Sequence, residues 1–399
     1  MKKIVYYLLL ATLLSGCSTF QRMKSNKILA SADLNSSSFY AVVPFEYISS
    51  LPVFEVSIQG ETYRFIFDTG GYTVFSNELT NRLINVRKAS YIDVKDGNST
   101  VSRIDTYVLN ELEIAGISFS EVGFANIGFT ESEWFKCLGL DGTIGPNIMK
   151  EAFWQFDSKR QLITFTDNKN KLEIVGSGLK IPIYTDNVFK PSLDLQIGND
   201  TKRVGFDTGF NSFLKLIDKP GSQALEIYRS VVRLGKRSNA GNSVIYTDTR
   251  MIKVDSINLN GLVFKDVITS VGDRFSSDLL GSQLFDYFRI MIDLSGGAMY
   301  LQEIEEDTLI QNSIESFGFG LDFRDGKVVI DYVYEPSTAN KMGVKPGQLV
   351  LSINGLNSEY SSYCDFIDNF KTIYGETMKI EILRNNKPYL ISLTKEKIL

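Results

Sequence analysis

The sequence predicts a mainly β protein: two copies of one strand-rich lobe, then a third unit of α+β type. Three observations predict it. The tripeptide Asp-Thr-Gly occurs twice, at Asp68-Thr69-Gly70 and Asp207-Thr208-Gly209, 139 residues apart and each time after an apolar run. Around both copies, alternating aromatic and β-branched runs are broken by Gly, Asn and Asp, the pattern of half-buried strands and their turns. Beyond residue 316 that pattern gives way to one that includes helical stretches.

Composition narrows the chemistry. The 399 residues are 43% hydrophobic, enough for two or three cores. There is no histidine, which removes Ser-His-Asp and Cys-His mechanisms and histidine-ligated metals. A net charge of −5 without a basic stripe argues against nucleic acid as a partner.

The elements follow in order. Residues 1–16 read as a signal peptide: Lys2 and Lys3 precede an apolar run from Ile4 to Leu14, too short to span a bilayer. Its end, Leu14-Ser15-Gly16-Cys17, resembles a bacterial lipobox with Cys17 as the lipidated residue. This implies a lipid-anchored protein of the cell envelope, and Ser18 in place of an acidic residue points to the outer membrane. Residues 17–39 are polar and read as a tether. Cys137 and Cys364 fall in different units and read as buried apolar thiols rather than a bridge or a nucleophile.

The repeat is carried by ordered landmarks. Pro52 and Pro191 each stand 16 residues before an Asp-Thr-Gly aspartate. Asp96-Gly97-Asn98-Ser99 and Ala240-Gly241-Asn242-Ser243 read as hairpin tips. Strand-turn-strand units follow around Gly116 and Gly261. Then come Thr143-Ile144-Gly145 and Leu279-Leu280-Gly281, each 12 residues before an aspartate, Asp157 or Asp293, that leads into a short strand. The lobes are placed at 40–170 and 178–304, with an acidic linker at 305–316. In the unit 317–399, strands are read at Val328 to Val333, Leu349 to Ile353, Met378 to Leu383 and Tyr389 to Leu393. Helices are read at Ser337 to Met342 and Tyr360 to Tyr374.

Two carboxylates supplied by two copies of one unit can meet on the axis relating them. At close range they cannot easily both ionise, so they share one proton, and one serves as base while the other serves as acid. Such a pair activates water without a cofactor or a metal. The shared proton belongs to the pair, so sequence does not assign the two roles.

With these motifs in place, residues 40–304 resemble a retropepsin- or pepsin-type aspartic protease with both lobes in one chain. The resemblance rests on the apolar-apolar-Asp-Thr-Gly motifs and on Asp141-Gly142-Thr143-Ile144-Gly145 and Asp278-Leu279-Leu280-Gly281 downstream. It implies a two-lobed acid-protease β-barrel fold with Asp68 and Asp207 as the catalytic pair. Thr69, Gly70, Thr208 and Gly209 would support the active-site loops, and two flaps with tips at Gly97, Asn98, Gly241 and Asn242 would close over an extended peptide. Tyr91 and Tyr246 are the candidate flap tyrosines. Gly71 and Phe210 stand where pepsins usually carry Ser or Thr.

The tail resembles a bacterial PDZ domain through Phe317-Gly318-Phe319-Gly320-Leu321 and Met342-Gly343-Val344-Lys345-Pro346-Gly347-Gln348. By that resemblance Gly318, Phe319, Gly320 and Leu321 form the loop that holds a peptide's C-terminal carboxylate. The expected function is an aspartic endopeptidase, complete as a monomer, whose PDZ unit positions peptide substrates. The alternative is a non-catalytic peptide-binding adaptor of the envelope.

Overall fold

The computed structural model describes residues 20–96, 99–128, 133–218, 225–240, 243–304, 313–370 and 375–399. Cys17 and the tips Gly97, Asn98, Gly241 and Asn242 lie outside them.

The chain is mainly strand, and its strand pairings occur twice. In the first half, Glu61–Phe67 pairs in parallel with Gly142–Ile144, which also pairs with Val74–Ser76. In the second half, Asp200–Asp207 pairs in parallel with Leu279–Gly281, which also pairs with Leu214–Ile217. Long hairpins recur as well, Val86–Lys95 with Val101–Ile114 and Arg229–Ala240 with Ser243–Leu259. The aspartates preceding the glycine-ended strands have local duties. Asp141 accepts from the Arg64 amide at 2.9 Å, and Asp278 from the Ile217 amide at 2.6 Å.

A run of six strands within a 14-stranded sheet joins the halves. Its order is Leu179–Pro182, Ala298–Glu303, Phe288–Asp293, Phe153–Asp157, Leu162–Thr166 and Tyr40–Ile48. The halves meet at its middle, where Trp154 opposes Ile292 and Phe156 opposes Ile290. Alternation places Trp154 and Phe156 on the buried face, beneath the first Asp-Thr-Gly loop. Trp154 stacks on Phe165 at 4.3 Å, Phe67 packs edge-on to Phe156 at 4.5 Å, and the Trp154 indole donates to the Met149 carbonyl at 3.0 Å. The landmark aspartates close the sheet's two ends as ion pairs, Asp157 with Arg289 at 2.9 Å and Asp293 with Lys169 at 2.9 Å.

Residues read as a tether are instead folded in part. Residues 20–29 are helical, and Asp33–Leu34 adds a strand beside Ile117–Ile127. The polarity of this stretch serves hydrogen bonds into the lobe rather than solvation. Buried Ser25 donates to the Tyr91 carbonyl at 2.5 Å, and the Ser31 carbonyl accepts from Asn147 at 2.8 Å. Leu29 and Ala32 complete the docking as buried apolar contacts.

The C-terminal unit has its own core around Phe323, Val328, Ile330, Phe366 and Ile380. Helix Thr338–Lys341 is capped by Ser337, which accepts from Asn340 N. Strands run at Phe319–Arg324, Lys327–Glu335, Val350–Ile353, Thr377–Arg384 and Lys387–Thr394, with a helix at Tyr363–Phe370.

This unit is fastened to both halves. Lys327–Glu335 pairs antiparallel with hairpin strand Arg229–Ala240, through Val232 with Glu335 and Leu234 with Val333. Lys236 adds an ion pair to buried Asp331 at 2.6 Å. On the other side, Cys137 and Cys364 are joined as a disulfide with Cα atoms 5.2 Å apart. That spacing suits a bridge, so the reading of two free thiols is corrected. Sequence hid the bridge because the cysteines are 227 residues apart, on short helices that meet only after the third unit packs on the first. In the stretch read as a linker, Glu315–Ser316 pairs with Glu396–Lys397.

Trp154→Ala is expected to lower stability by about 3–5 kcal/mol, because it empties the space under the junction of the halves. Denaturant unfolding followed by near-UV circular dichroism would show it.

Candidate functional site

The site lies where the two Asp-Thr-Gly loops meet, and threonine decides the geometry. The Thr69 amide donates to Thr208 Oγ1 at 3.0 Å, and the Thr208 amide donates to Thr69 Oγ1 at 3.0 Å. Each hydroxyl then donates onward across the axis, Thr69 to the Phe206 carbonyl at 2.7 Å and Thr208 to the Phe67 carbonyl at 2.6 Å. Both threonines are fully buried, so these four bonds are the local means of satisfying the polar groups.

This lock brings Asp68 and Asp207 together, close enough for each carboxyl to act on the proton affinity of the other. The glycines permit the approach. A β-carbon at Gly70 would fall 2.2 Å from the Asp207 carboxyl carbon, and one at Gly209 would fall 2.6 Å from that of Asp68. Gly71 follows the same rule, since a β-carbon there would lie 2.2 Å from Asp68 Oδ2. Glycine at position 71 is therefore what this loop requires. Phe210, the other departure, turns its ring toward Lys215, 5.0 Å from the ammonium.

The two carboxyls are not equivalent. Asp68 Oδ1 accepts from the Gly70 and Gly71 amides at 3.0 and 2.8 Å, whereas Asp207 Oδ1 accepts from Gly209 at 2.9 Å. Both side chains are half-buried. Burial, followed by the charge of Asp207, pushes Asp68 up to about 8. Burial also raises Asp207, but Lys215 and the hydrogen bond from Asp68 oppose that rise. Both carboxyls are thus raised together, and the proton they hold belongs to the pair.

Sequence reading missed two lysines. Lys190 stands 4.0 Å over the Tyr72 ring, and its charge acts on both aspartates. Lys215 is buried between Phe210 and Phe275, and its charge acts on Asp207. Burial lowers the pKa of both lysines. The available signal was a lysine inside the apolar strand Leu214-Lys215-Leu216, where a charge needs a buried counterpart.

The hairpin tyrosines are engaged elsewhere. Tyr91 lies under Arg103, and Tyr246 under Arg324 of the C-terminal unit. In that unit, Gly318 adopts φ +88°, and Phe319–Arg324 forms the last strand of its sheet. Gly320 lies against the Tyr332 ring, where a β-carbon would fall 2.3 Å from it. Phe323 stacks on Phe366 of the neighbouring helix at 6.0 Å, and Leu321 packs at the edge of the core.

Comparison with known proteins adds one firm assignment. Residues 1–18 match the prokaryotic membrane lipoprotein lipid attachment site. The match supports a chain held in the bacterial envelope through a lipid. No curated protein matches the sequence. Among similar solved folds is the crystal structure of Basic 7S globulin from soybean. Its TM-score is 0.40 at 9% identity, over 68% of this chain and 97% of that one, too distant to carry an argument.

Thr208→Val is expected to cost about 2–3 kcal/mol, because it strands a buried amide and a buried carbonyl together. Thermal unfolding of the variant beside the parent chain would register the loss.

Proposed function

We propose that the chain is an aspartic endopeptidase acting in the bacterial envelope. The observation that carries this reading is the juxtaposed Asp68–Asp207 pair, held by the reciprocal Thr69–Thr208 bonds and free of any covering β-carbon. A water between the carboxyls gives its proton to Asp207 while its oxygen attacks the peptide carbonyl. Asp68 gives its proton to the carbonyl oxygen, forming a neutral gem-diol. On collapse, Asp207 passes its proton to the departing nitrogen, and a gem-diol hydroxyl returns one to Asp68, so the pair is restored. Lys215 supports the role of Asp207 as base, because a neighbouring cation favours the ionised carboxylate.

In this reading the C-terminal unit takes the C-terminus of a peptide. A PDZ-like groove would lie between strand Phe319–Arg324 and helix Tyr363–Phe370, with the peptide added as a further strand. The terminal position of that strand in its sheet and the φ +88° turn at Gly318 support it.

Asp68→Asn and Asp207→Asn are each expected to reduce peptide cleavage by about 10²–10⁴-fold, the usual worth of a positioned proton carrier. Equal turnover by the parent and both variants in a peptide-library digest would overturn the assignment.

Activity should extend through neutral pH. One proton must stay on the pair, and Asp68 keeps it until pH rises through about 8. On acidification, rate falls as Asp207 also takes a proton. Lys215→Met removes a cation that holds Asp207 down, so the acid limb of the kcat/KM profile should move to higher pH while the basic limb stays nearer its place.

A further inference from the structure

The helix at residues 20–29 divides its side chains by face. Gln21, Ser25, Ile28 and Leu29 turn toward the first lobe. Phe20, Met23, Lys24 and Lys27 are exposed at i, i+3, i+4 and i+7, which is one continuous stripe on the opposite side. Phe20 is 71% and Met23 66% exposed, although each is a large apolar group. Arg22, Lys24 and Lys27 give residues 20–29 three positive charges and no negative one.

The docking side is built into the protein. Ser25 bonds to Ser90 Oγ at 2.9 Å and to the Tyr91 carbonyl, both on hairpin strand Val86–Lys95. Leu29 packs with Val74, Ile92 and Ile104, and Tyr72 lies against that cluster. The helix therefore sits one packing layer behind the loop that bears Asp68.

What covers the outer stripe follows from where the chain is anchored. The lipid attachment site covers residues 1–18, with Cys17 its cysteine. Three residue steps lead from Cys17 to Phe20, and fully extended they span about 10 Å. A lipid on Cys17 thus brings the stripe within reach of the bilayer surface. Large apolar groups beside lysines, without acids, match an anionic membrane interface.

We infer that helix 20–29 lies on the surface of an anionic bilayer through Phe20, Met23, Lys24 and Lys27, and holds the first lobe against the membrane. The lobe is then a surface-seated body rather than one swinging on a tether, and hairpin Val86–Ile114 stands at the membrane side. This rests on the lipid anchor and the helix, so it survives or fails independently of peptidase activity.

The test uses the full lipidated protein in vesicles of phosphatidylethanolamine and phosphatidylglycerol. An environment-sensitive fluorophore is placed at Phe20→Cys or Met23→Cys, with exposed Leu356→Cys as the reference. The labels at 20 and 23 should shift to the blue and be quenched by spin-labelled lipid, while the label at 356 does neither. Equal water exposure at all three sites would overturn the inference. So would a blue shift that follows protein density without lipid quenching, since that outcome assigns the stripe to a second copy. Lys24→Glu with Lys27→Glu should lose the quenching while the lipid anchor still carries the protein to the vesicles. Unchanged quenching in that variant would overturn the electrostatic part.

Discussion

Two threonine hydroxyls hold the centre of this molecule. Each accepts an amide from the opposite loop and donates to the opposite strand, so neither half can satisfy its own buried groups alone. Everything chemical about the site follows from that exchange. It sets Asp68 beside Asp207, so neither carboxyl takes or loses a proton independently of the other. The six strands shared by the halves serve the same end by giving both loops one base.

Exchange between equivalent loops would leave the carboxyls equivalent, and the surroundings break that symmetry. Two amides serve Asp68 against one for Asp207, and Lys215 stands in the second half on the Asp207 side. Phe210 is part of the same asymmetry, since its ring shields the lysine that acts on the neighbouring aspartate. A residue that looks out of place in the motif belongs to the packing of a cation.

Much of this was legible in the sequence because it is local or repeated. An apolar run, Asp-Thr-Gly and a later apolar pair with Gly describe strands that must cross, and both copies do so in the same register. What could not be read depends on contacts between distant segments. The Cys137–Cys364 bridge needs the third unit in place, and Lys190 reaches the site from a loop with no motif of its own. The polar stretch after Cys17 misled for a physical reason. Ser and Asn favour solvated chain only when no buried carbonyl is waiting for them, and here the Tyr91 carbonyl takes Ser25.

The shared sheet also orders the birth of the protein. A chain delivered N-terminus first presents strand Phe153–Asp157 long before Phe288–Asp293 arrives to cover it. During that interval the first half carries an open, aromatic strand edge, the kind that recruits other chains. Its maturation therefore depends on how fast the second half follows, and a stall between the two exposes an adhesive surface that the finished molecule never shows.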